Sequence, residues 1–317
     1  MKILPISSYS NGAACNRPSK PVFGASYVNY GGVGMIDASM DTFAISKKGS
    51  GIKAVRFYRI PTAKCPANRK FTLEDYKNLS ESEKGFIMAN IPDRTKGLAS
   101  VNVKIGMAIK QTFDDTYGEG NYKFISLGTS PACAAKVLEL MGADVIYLPM
   151  SYAHSTCAKP WLKSSPYIEF YKEFMHKKGL SNEALKKEGK KGIICDYAIS
   201  GRSLELSEYM LKGPLGLDES LLDTYTMNSL IQNSEYIPDD VKDKYLNDLL
   251  KNEKAANYCD VPHFSFIDKR PFSRGIIKDT KSLTDYFETY RAKSSNAYNF
   301  CVMSILDKEG KLNGLAS

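Results

Sequence analysis

The sequence predicts an α/β fold, a parallel twisted sheet with helices on both faces. Over the middle of the chain, short apolar segments alternate with longer amphipathic segments, which is the order of strands and helices in a parallel sheet. Several of the apolar segments lack polar alternation, as expected of strands buried on both faces. We expect a single domain over residues 26–317, with a small strand-rich N-terminal addition and a helical C-terminal insertion.

The N-terminal quarter of the chain predicts a tail and a small sheet. Residues 1–25 are rich in Ser, Asn, Gly and Pro and have no periodicity, which predicts a flexible tail. Residues 27–38, 41–46 and 52–61 are strand-like and predict two or three antiparallel strands. Residues 71–90 are polar and partly helical, with Thr72 as the expected N-cap.

The predicted core runs through alternating helices and strands. Helices are expected at 98–113, 132–141, 167–178 and 204–212, and strands at 122–127, 144–150 and 193–199. Pro131 suits the start of the second helix and Gly142 its end. In such a sheet ligands gather at the carboxyl ends of the strands.

Two turns after predicted strands contain small and polar residues. The strand at 122–127 ends in Gly128-Thr129-Ser130, and the strand at 193–199 is followed by Ser200-Gly201-Arg202-Ser203. Each turn leads into a helix whose first N–H groups have no partner within the helix. At the second turn this arrangement is typical of an anion site, and its natural ligand is a phosphate.

The stretch from Gly192 to Leu204, GIICDYAISGRSL, resembles the phosphoribosyl-diphosphate (PRPP) signature of the type I phosphoribosyltransferases. The resemblance covers roughly residues 98–212 and implies that family's core fold and the transfer of a phosphoribosyl group with release of diphosphate. Cys195 stands where the family has its first acidic residue, and Ile199 and Arg202 also depart from the pattern.

The resemblance implies a role for each matching residue. Asp196 would contact the ribose, or a magnesium ion through water. Residues 151–166 correspond to the family's mobile hood. The implied phosphate ligands are Ser200, Gly201, Arg202 and Ser203, and the implied diphosphate ligands are Gly128, Thr129, Ser130, Lys159 and Lys163. The implied partner is a small-molecule sugar phosphate or nucleotide, and a homodimer is the common state of such enzymes.

Two other functions stay open. The departure at Cys195 is compatible with a catalytically degenerate relative that senses a nucleotide or PRPP or serves as an interaction surface. A hydrolase would use Ser130 or Cys157 as nucleophile and His154, His176 or His263 as base, but LGTSPA lacks the second glycine of a nucleophile elbow.

The charge of the chain is unevenly distributed. The formal net charge is +8, with nine lysines against four glutamates in residues 159–192 and ten acids against four lysines in residues 218–260. The basic block contains no arginine, which argues against a nucleic-acid platform. It is either a solvated helical face or a lysine cluster beside a polyphosphate.

The remaining features concern location and the C-terminal part. Seven cysteines without metal or disulfide spacing, and no apolar run of membrane length, predict a cytoplasmic protein with reduced thiols and no membrane partner. Residues 217–254 predict two or three acidic helices, giving an insertion at about 215–258. Residues 263–268 and 299–306 are apolar enough for late strands, with a helix between them at 283–291.

Overall fold

A computed structural model shows a four-stranded parallel sheet between layers of helices, together with a three-stranded antiparallel sheet. The structure describes residues 26–29, 42–48, 51–58, 71–128, 130–150, 167–197, 202–244, 259–260, 293–294 and 296–313, with side chains for 71–128, 130–150, 167–197, 204–243 and 296–313. These residues confirm the α/β class that the sequence predicts.

The strands form three sheets. The antiparallel sheet has the order β1-β3-β2, the parallel sheet β5-β4-β6-β7, and β8 pairs with β9. The strands are β1 (Ser26–Asn29), β2 (Thr42–Lys48), β3 (Gly51–Tyr58), β4 (Tyr122–Leu127), β5 (Val145–Leu148), β6 (Lys191–Asp196), β7 (Leu222–Thr226), β8 (Cys259–Asp260) and β9 (Lys293–Ser294).

The helices include the connections of the parallel sheet and an outer layer. They are α1 (Leu73–Lys77), α2 (Glu81–Asn90), α3 (Asp93–Tyr117), α4 (Ala132–Leu140), α5 (Ile168–Lys177), α6 (Asn182–Glu188), α7 (Arg202–Lys212), α8 (Met227–Asn233), α9 (Asp239–Lys244) and α10 (Asn296–Lys308).

The first two helices start at complete capping boxes. The Thr72 hydroxyl accepts the Asp75 N–H while the Asp75 carboxylate accepts the Thr72 N–H, and Ser80 and Glu83 repeat the arrangement in α2. These reciprocal bonds satisfy N–H groups that the helix itself leaves unpaired. The predicted cap at Thr72 is therefore confirmed.

Both faces of the parallel sheet are covered. Ile125 and Ile194 pack in the cluster formed with α5, α6 and α7, whereas Phe124, Ile193 and Cys195 pack in the cluster formed with α3 and α4. Neighbouring residues of a strand point to opposite faces, so the buried residues of β4 and β6 supply both cores. An outer layer made of α1, α2 and α10 packs on α3 and α4.

Helices α3 and α4 cross closely at a glycine. A Cβ atom on Gly106 of α3 would lie 2.6 Å from Cγ1 of Val137 in α4, so no larger residue fits without movement. Gly97, earlier in the same helix, has no atom within 4 Å of such a Cβ. Position 106 thus sets the distance between the two helices that cover one face of the sheet.

A group of four charges lies at the amino ends of β4, β5 and β6. The Lys123 ammonium is 3.2 Å from an Asp144 carboxylate oxygen and 3.0 Å from one of Glu188, and Lys190 pairs with the same two acids. The Lys123 side chain is only 6% exposed, so its charge depends on these partners. No motif in the sequence marks these four residues as a group.

Two predictions for the C-terminal part are wrong. Residues 222–226, predicted within acidic helices, form strand β7, which pairs in parallel with β6 and extends the sheet beyond the predicted core at 98–212. Residues 299–306, predicted as a late strand, lie in helix α10. A short apolar run fits a buried strand or a buried helix equally well, and α10 is buried on all sides from Asn296 to Ser304.

Other expectations fall outside the described residues: the tail at 1–25, the strand at 263–268 and the helix at 283–291. The small N-terminal sheet and the helices within 217–244 are confirmed by β1 to β3, α8 and α9. Within the part of the chain that the structure describes, no helix combines the length and apolar character needed to cross a membrane.

Candidate functional site

The strand order of the parallel sheet produces a switch point between β4 and β6. From β4 the chain passes outward to β5 on one side, while β6 pairs on the other side of β4 and continues outward to β7. Connections that leave the two central strands in opposite directions open a crevice at their carboxyl ends, which is where open α/β sheets bind ligands. We call this place the switch-point crevice, bounded by Gly128 after β4 and by Asp196 at the end of β6.

The turn between β4 and α4 is shaped by Gly128. Its φ is +62°, its N–H donates to the Leu148 carbonyl over 2.8 Å, and a Cβ atom there would lie 3.0 Å from the Met150 carbonyl oxygen. A left-handed residue this close to another backbone favours glycine. Because the Gly128 N–H is already bonded, this residue would shape the predicted diphosphate loop rather than donate to a ligand.

Helix α4 begins without a side-chain cap. Pro131 is its N-cap residue and supplies no side-chain hydrogen bond, so the predicted Pro start is displaced by one position. The N–H groups of the first turn therefore point towards the carboxyl edge without a capping side chain, and the positive end of the helix dipole lies there too. Ser130, directly before the cap, is exposed and accessible to a ligand.

A buried hydroxyl lies beneath the same helix. Ser126 is fully buried near the end of β4, and its Oγ has no hydrogen-bond partner in the described structure. It alternates with Ile125 and Leu127, so it faces the side of the sheet that α3 and α4 cover. Leaving a buried hydroxyl unpaired costs about 1–3 kcal/mol, which sets Ser126 apart from an ordinary core position.

Asp196 ends the second central strand. Its carboxylate accepts the N–H of Tyr197 over 2.7 Å, and no positively charged side chain among those described pairs with it or affects its pKa. Burial raises the pKa of Asp196 to about 7, and the Tyr197 N–H offsets only part of that rise. A partly buried carboxyl without a cation is typical of a site that acts on a ligand, although structural networks also perturb pKa values.

The neighbouring residue at the family's first acidic position faces away from Asp196. Cys195 is fully buried in the cluster with α3 and α4, whereas Asp196 follows Ile194 on the alternation towards the face covered by α5 and α7. Burial raises the pKa of the Cys195 thiol well above its ordinary value. Cys195 therefore acts as a core residue here.

The structure brings some predicted site residues together and leaves others outside. Gly128, Ser130 and Asp196 lie at the same edge of the sheet. Arg202 and Ser203 are the first two residues of α7, as the phosphate-loop prediction expects of a loop leading into a helix. The predicted ligands outside the described residues are Thr129, Lys159, Lys163, Ser200 and Gly201.

The described lysines of the basic block do not support a polyphosphate cluster at the crevice. Lys190 and Lys191 precede or begin β6, at its amino end, and Lys190 pairs with two acids. Lys172, Lys177 and Lys186 also form ion pairs with carboxylates. For this part of the block the solvated-face interpretation is the better one, because charges at the amino edge are a strand length away from the carboxyl edge.

The connections at the two edges nevertheless differ in charge. Three segments directly follow β4, β5 and β6 in the sequence: residues 128–131, 149–167 and 197–201. They contain no Asp or Glu, and they include Lys159, Lys163 and His154. The connecting segments at the amino edge of the sheet contain Glu119, Asp144 and other acidic residues. Asp196 ends β6, and the three segments that directly follow these strands in the sequence contain no other acid.

His176, one of the three histidines considered as the base of a hydrolase, lies far from Ser130. His176 is near the end of α5, and its carbonyl accepts the N–H of Gly179, which lies beside Lys123 at the amino edge. Ser130 lies at the carboxyl edge, about 15–20 Å away along strands that rise about 3.3 Å per residue. His176 is thus too far away to activate Ser130, while His154, Cys157 and His263 lie outside the described residues.

The described part of the chain does not test the expected magnesium ion. Among the described residues no group of three His, Cys, Asp or Glu side chains is placed to hold a metal ion. Mg²⁺ is usually bound through one or two carboxylates plus phosphates and water, and Asp196 is a single carboxyl whose pKa is raised to about 7. The magnesium expectation stays a prediction, and no step below depends on it.

Comparison with protein-family models, with curated proteins and with solved structures finds no match for this chain. The switch-point crevice and the resemblance of the stretch around Asp196 to the phosphoribosyltransferase signature therefore carry the functional proposal.

Proposed function

We propose that the switch-point crevice binds a sugar phosphate or nucleotide through its phosphate groups, and that the protein is a phosphoribosyltransferase-like enzyme. The observation that carries the proposal is the meeting of two strand–turn–helix units at one crevice, one leading from β4 into the uncapped helix α4 and one from β6 into α7. Each helix start offers N–H groups and a positive dipole end to an anion. Two such sites suit a ligand with two phosphate groups, as PRPP has.

The proposed roles follow the order of the chain. The turn from Ser200 to Ser203 would hold the 5′-phosphate before α7, and the turn from Gly128 to Ser130 would hold the diphosphate before α4. Asp196, between them, would face the ribose. The Ser126 hydroxyl beneath α4 is a further polar group close to the second turn.

In the proposed reaction, a nucleophilic atom of the acceptor forms a bond to the anomeric carbon of PRPP. The bond from that carbon to the diphosphate oxygen breaks, and diphosphate leaves with the electron pair. The acceptor then releases its proton. Donors that are already fixed before the reaction stabilise the charge that develops on the leaving diphosphate.

The second candidate is a binding protein of the same fold that does not catalyse transfer. Cys195 at the family's first acidic position favours it, because the thiol is buried on the other face of the sheet and cannot replace a ribose-binding carboxylate. Both candidates require phosphate binding at the crevice, and only the first requires diphosphate release.

Calorimetric titration of PRPP, ribose 5-phosphate and diphosphate into the protein tests both. A Ser130→Trp variant places a large side chain at the crevice, and Ser220→Trp places the same side chain on an exposed residue at the amino edge as a control. We expect micromolar binding that Ser130→Trp abolishes and Ser220→Trp retains. Diphosphate release with a panel of nucleobases would then separate the enzyme from the binding protein. Equal binding by both variants would refute the location.

A further inference from the structure

Ser126 lies in the middle of the parallel sheet, on the face that α4 covers. It pairs in register with Tyr147 of β5 and with Cys195 of β6. Cys195 packs in the cluster with α3 and α4, and the Tyr147 hydroxyl donates to Glu139 of α4. Residues in register on neighbouring strands point to the same face of a sheet, so the Ser126 side chain points towards α4.

The first turn of α4 lies above this hydroxyl. Phe124, two residues before Ser126 on the same face, packs in one cluster with Leu138 in the second turn of α4. Because β4 and β5 are parallel, α4 runs back from the carboxyl edge of the sheet to the amino edge. Ser126 is nearer to the carboxyl edge than Phe124 is, so it lies under the start of the helix.

The start of this helix is buried and has open hydrogen-bonding capacity. Ala132, Cys133 and Ala134 are buried, and the N-cap residue Pro131 supplies no side-chain hydrogen bond. The first N–H groups of a helix have no acceptor within the helix itself. Nearly all buried N–H groups in proteins are paired with protein atoms, water or a ligand. An acceptor atom is therefore expected at this position.

The Ser126 hydroxyl independently indicates a missing partner at the same place. Its Oγ is enclosed, and no group in the described part of the chain forms a hydrogen bond with it. The elements around it, β4, β5, β6, α3 and α4, are all described with their side chains. A buried hydroxyl without a partner is uncommon, and it often marks a position that water or a ligand occupies.

The groups that converge beneath α4 are hydrogen-bond donors. The helix offers N–H groups and the positive end of its dipole, and the Ser126 hydroxyl can donate its proton. The turn from Gly128 to Pro131 contains no acidic residue that would repel an anion. A phosphate oxygen accepts several such bonds and is stabilised by the helix dipole, whereas a water molecule also needs acceptors for its own protons. The donor set therefore favours a phosphate group over water.

We propose that Ser126 and the first turn of α4 form one site for a phosphate group, in which the Ser126 hydroxyl donates a hydrogen bond to a phosphate oxygen. This proposal rests on the proposed phosphate site and adds a residue to which the family resemblance implies no role. The Oγ atom is enclosed in the unliganded chain, so binding includes a displacement of the turn between β4 and α4, where Ser130 is exposed. The hydroxyl is thus unpaired before binding and paired after it.

Removing this hydroxyl should change stability and binding in opposite directions. Ser126→Ala should raise the thermal midpoint of the unliganded protein by about 2–4 °C, because it removes a buried hydroxyl without a partner. The same variant should bind inorganic diphosphate about 10- to 100-fold more weakly, because a hydrogen bond to a charged group is lost. Ribose 5-phosphate, whose phosphate is assigned to the turn before α7, should bind with unchanged affinity.

Calorimetric titration in EDTA measures the affinities, and scanning calorimetry measures the midpoints. Ser126→Cys keeps the shape of the side chain but replaces the hydroxyl with a weaker donor, so it should also lose affinity for diphosphate. Ser304→Ala is the matched control, because it removes a buried hydroxyl of α10 that contacts Tyr76. The control should leave both affinities unchanged and should not raise the midpoint.

Unchanged diphosphate affinity in both Ser126 variants, with binding abolished by Ser130→Trp, would overturn the role of Ser126 and leave the phosphate site in place. An equal loss for diphosphate and ribose 5-phosphate would also overturn it, since the effect would then not be local to α4. A lower midpoint for Ser126→Ala would mean that the hydroxyl is already paired in the unliganded protein, which contradicts the inference. Absence of diphosphate binding by the natural protein would overturn both the inference and the diphosphate turn of the proposed function.

Discussion

Replacing Asp196 with asparagine should stabilise the protein at alkaline pH. In the native state burial raises the pKa of this carboxyl from an ordinary value of 3.8 to about 7. Between those two pH values the native protein keeps a proton that the unfolded chain has lost, so stability falls as the pH rises through this window. Asparagine has the same shape and never ionises, which removes this loss.

The size of the effect follows from the two pKa values. At about 1.4 kcal/mol per pH unit, the rise from 3.8 to about 7 corresponds to a loss of about 4 kcal/mol, complete above pH 7. This is an upper value, because water reaching the carboxyl in the crevice reduces it. The variant and the natural protein should have nearly equal free energies of unfolding near pH 4, and the variant should be more stable by about 2–4 kcal/mol at pH 8.

Urea denaturation at both pH values, without ligand, measures the difference. Glu235→Gln removes an exposed carboxylate and controls for the general effect of lowering negative charge. An Asp196→Asn variant that is no more stable than the natural protein at pH 8 would refute the buried, unpaired state of this carboxyl. A gain that is already complete at pH 4 would refute the assignment of the effect to ionisation.

Three other substitutions or reactions test the fold. Gly106→Ala should lower the free energy of unfolding by about 1–3 kcal/mol, because its Cβ would overlap a valine of α4. Gly97→Ala in the same helix should raise the free energy of unfolding by about 0.5–1 kcal/mol, because no atom lies near the added Cβ. Equal effects of the two substitutions in urea denaturation would contradict the close helix contact. Lys123→Met should lower the unfolding midpoint in a thermal melt, because two carboxylates lose their buried partner, and the free energy of unfolding should fall by about 2 kcal/mol. Lys172→Met, the control, breaks an exposed ion pair and should lower the free energy of unfolding by less than about 0.5 kcal/mol. Burial raises the pKa of the Cys195 thiol, so this thiol should resist iodoacetamide at pH 8 until the protein unfolds. Rapid labelling of the native protein, detected by mass spectrometry, would count against the burial of Cys195.

Local sequence signals were sufficient where an element is specified by its own residues. The predicted cap at Thr72 satisfies helix N–H groups within four residues of chain, and it is present in the structure. Strand β4 matches its predicted range because six consecutive residues are buried and turns flank them. Gly128 and Pro131 mark the turn into α4 for the same local reason.

Local sequence patterns predicted the wrong secondary structure where contacts with distant parts of the chain decide it. Residues 222–226 contain one acidic residue, Asp223, among β-forming residues, and only pairing with β6 makes them a strand. Residues 299–306 are mostly apolar, which fits either element, and enclosure by α1, α2 and α3 favours helix α10. Intrinsic propensity is a weak guide in both cases because tertiary packing overrides it.

The sequence by itself determined the α/β class and most elements of the parallel core, and it marked two turns of small and polar residues, because those depend on periodicity, caps and turn residues. Only the tertiary structure decided that β4 and β6 are neighbours, which brings Gly128 and Asp196 to one crevice. It also decided that Asp196 is partly buried with no cation among the described side chains beside it, while Lys123 has two carboxylates at the opposite edge. Strand order and electrostatic environment arise from contacts between residues far apart in the chain, and a single sequence does not specify such contacts.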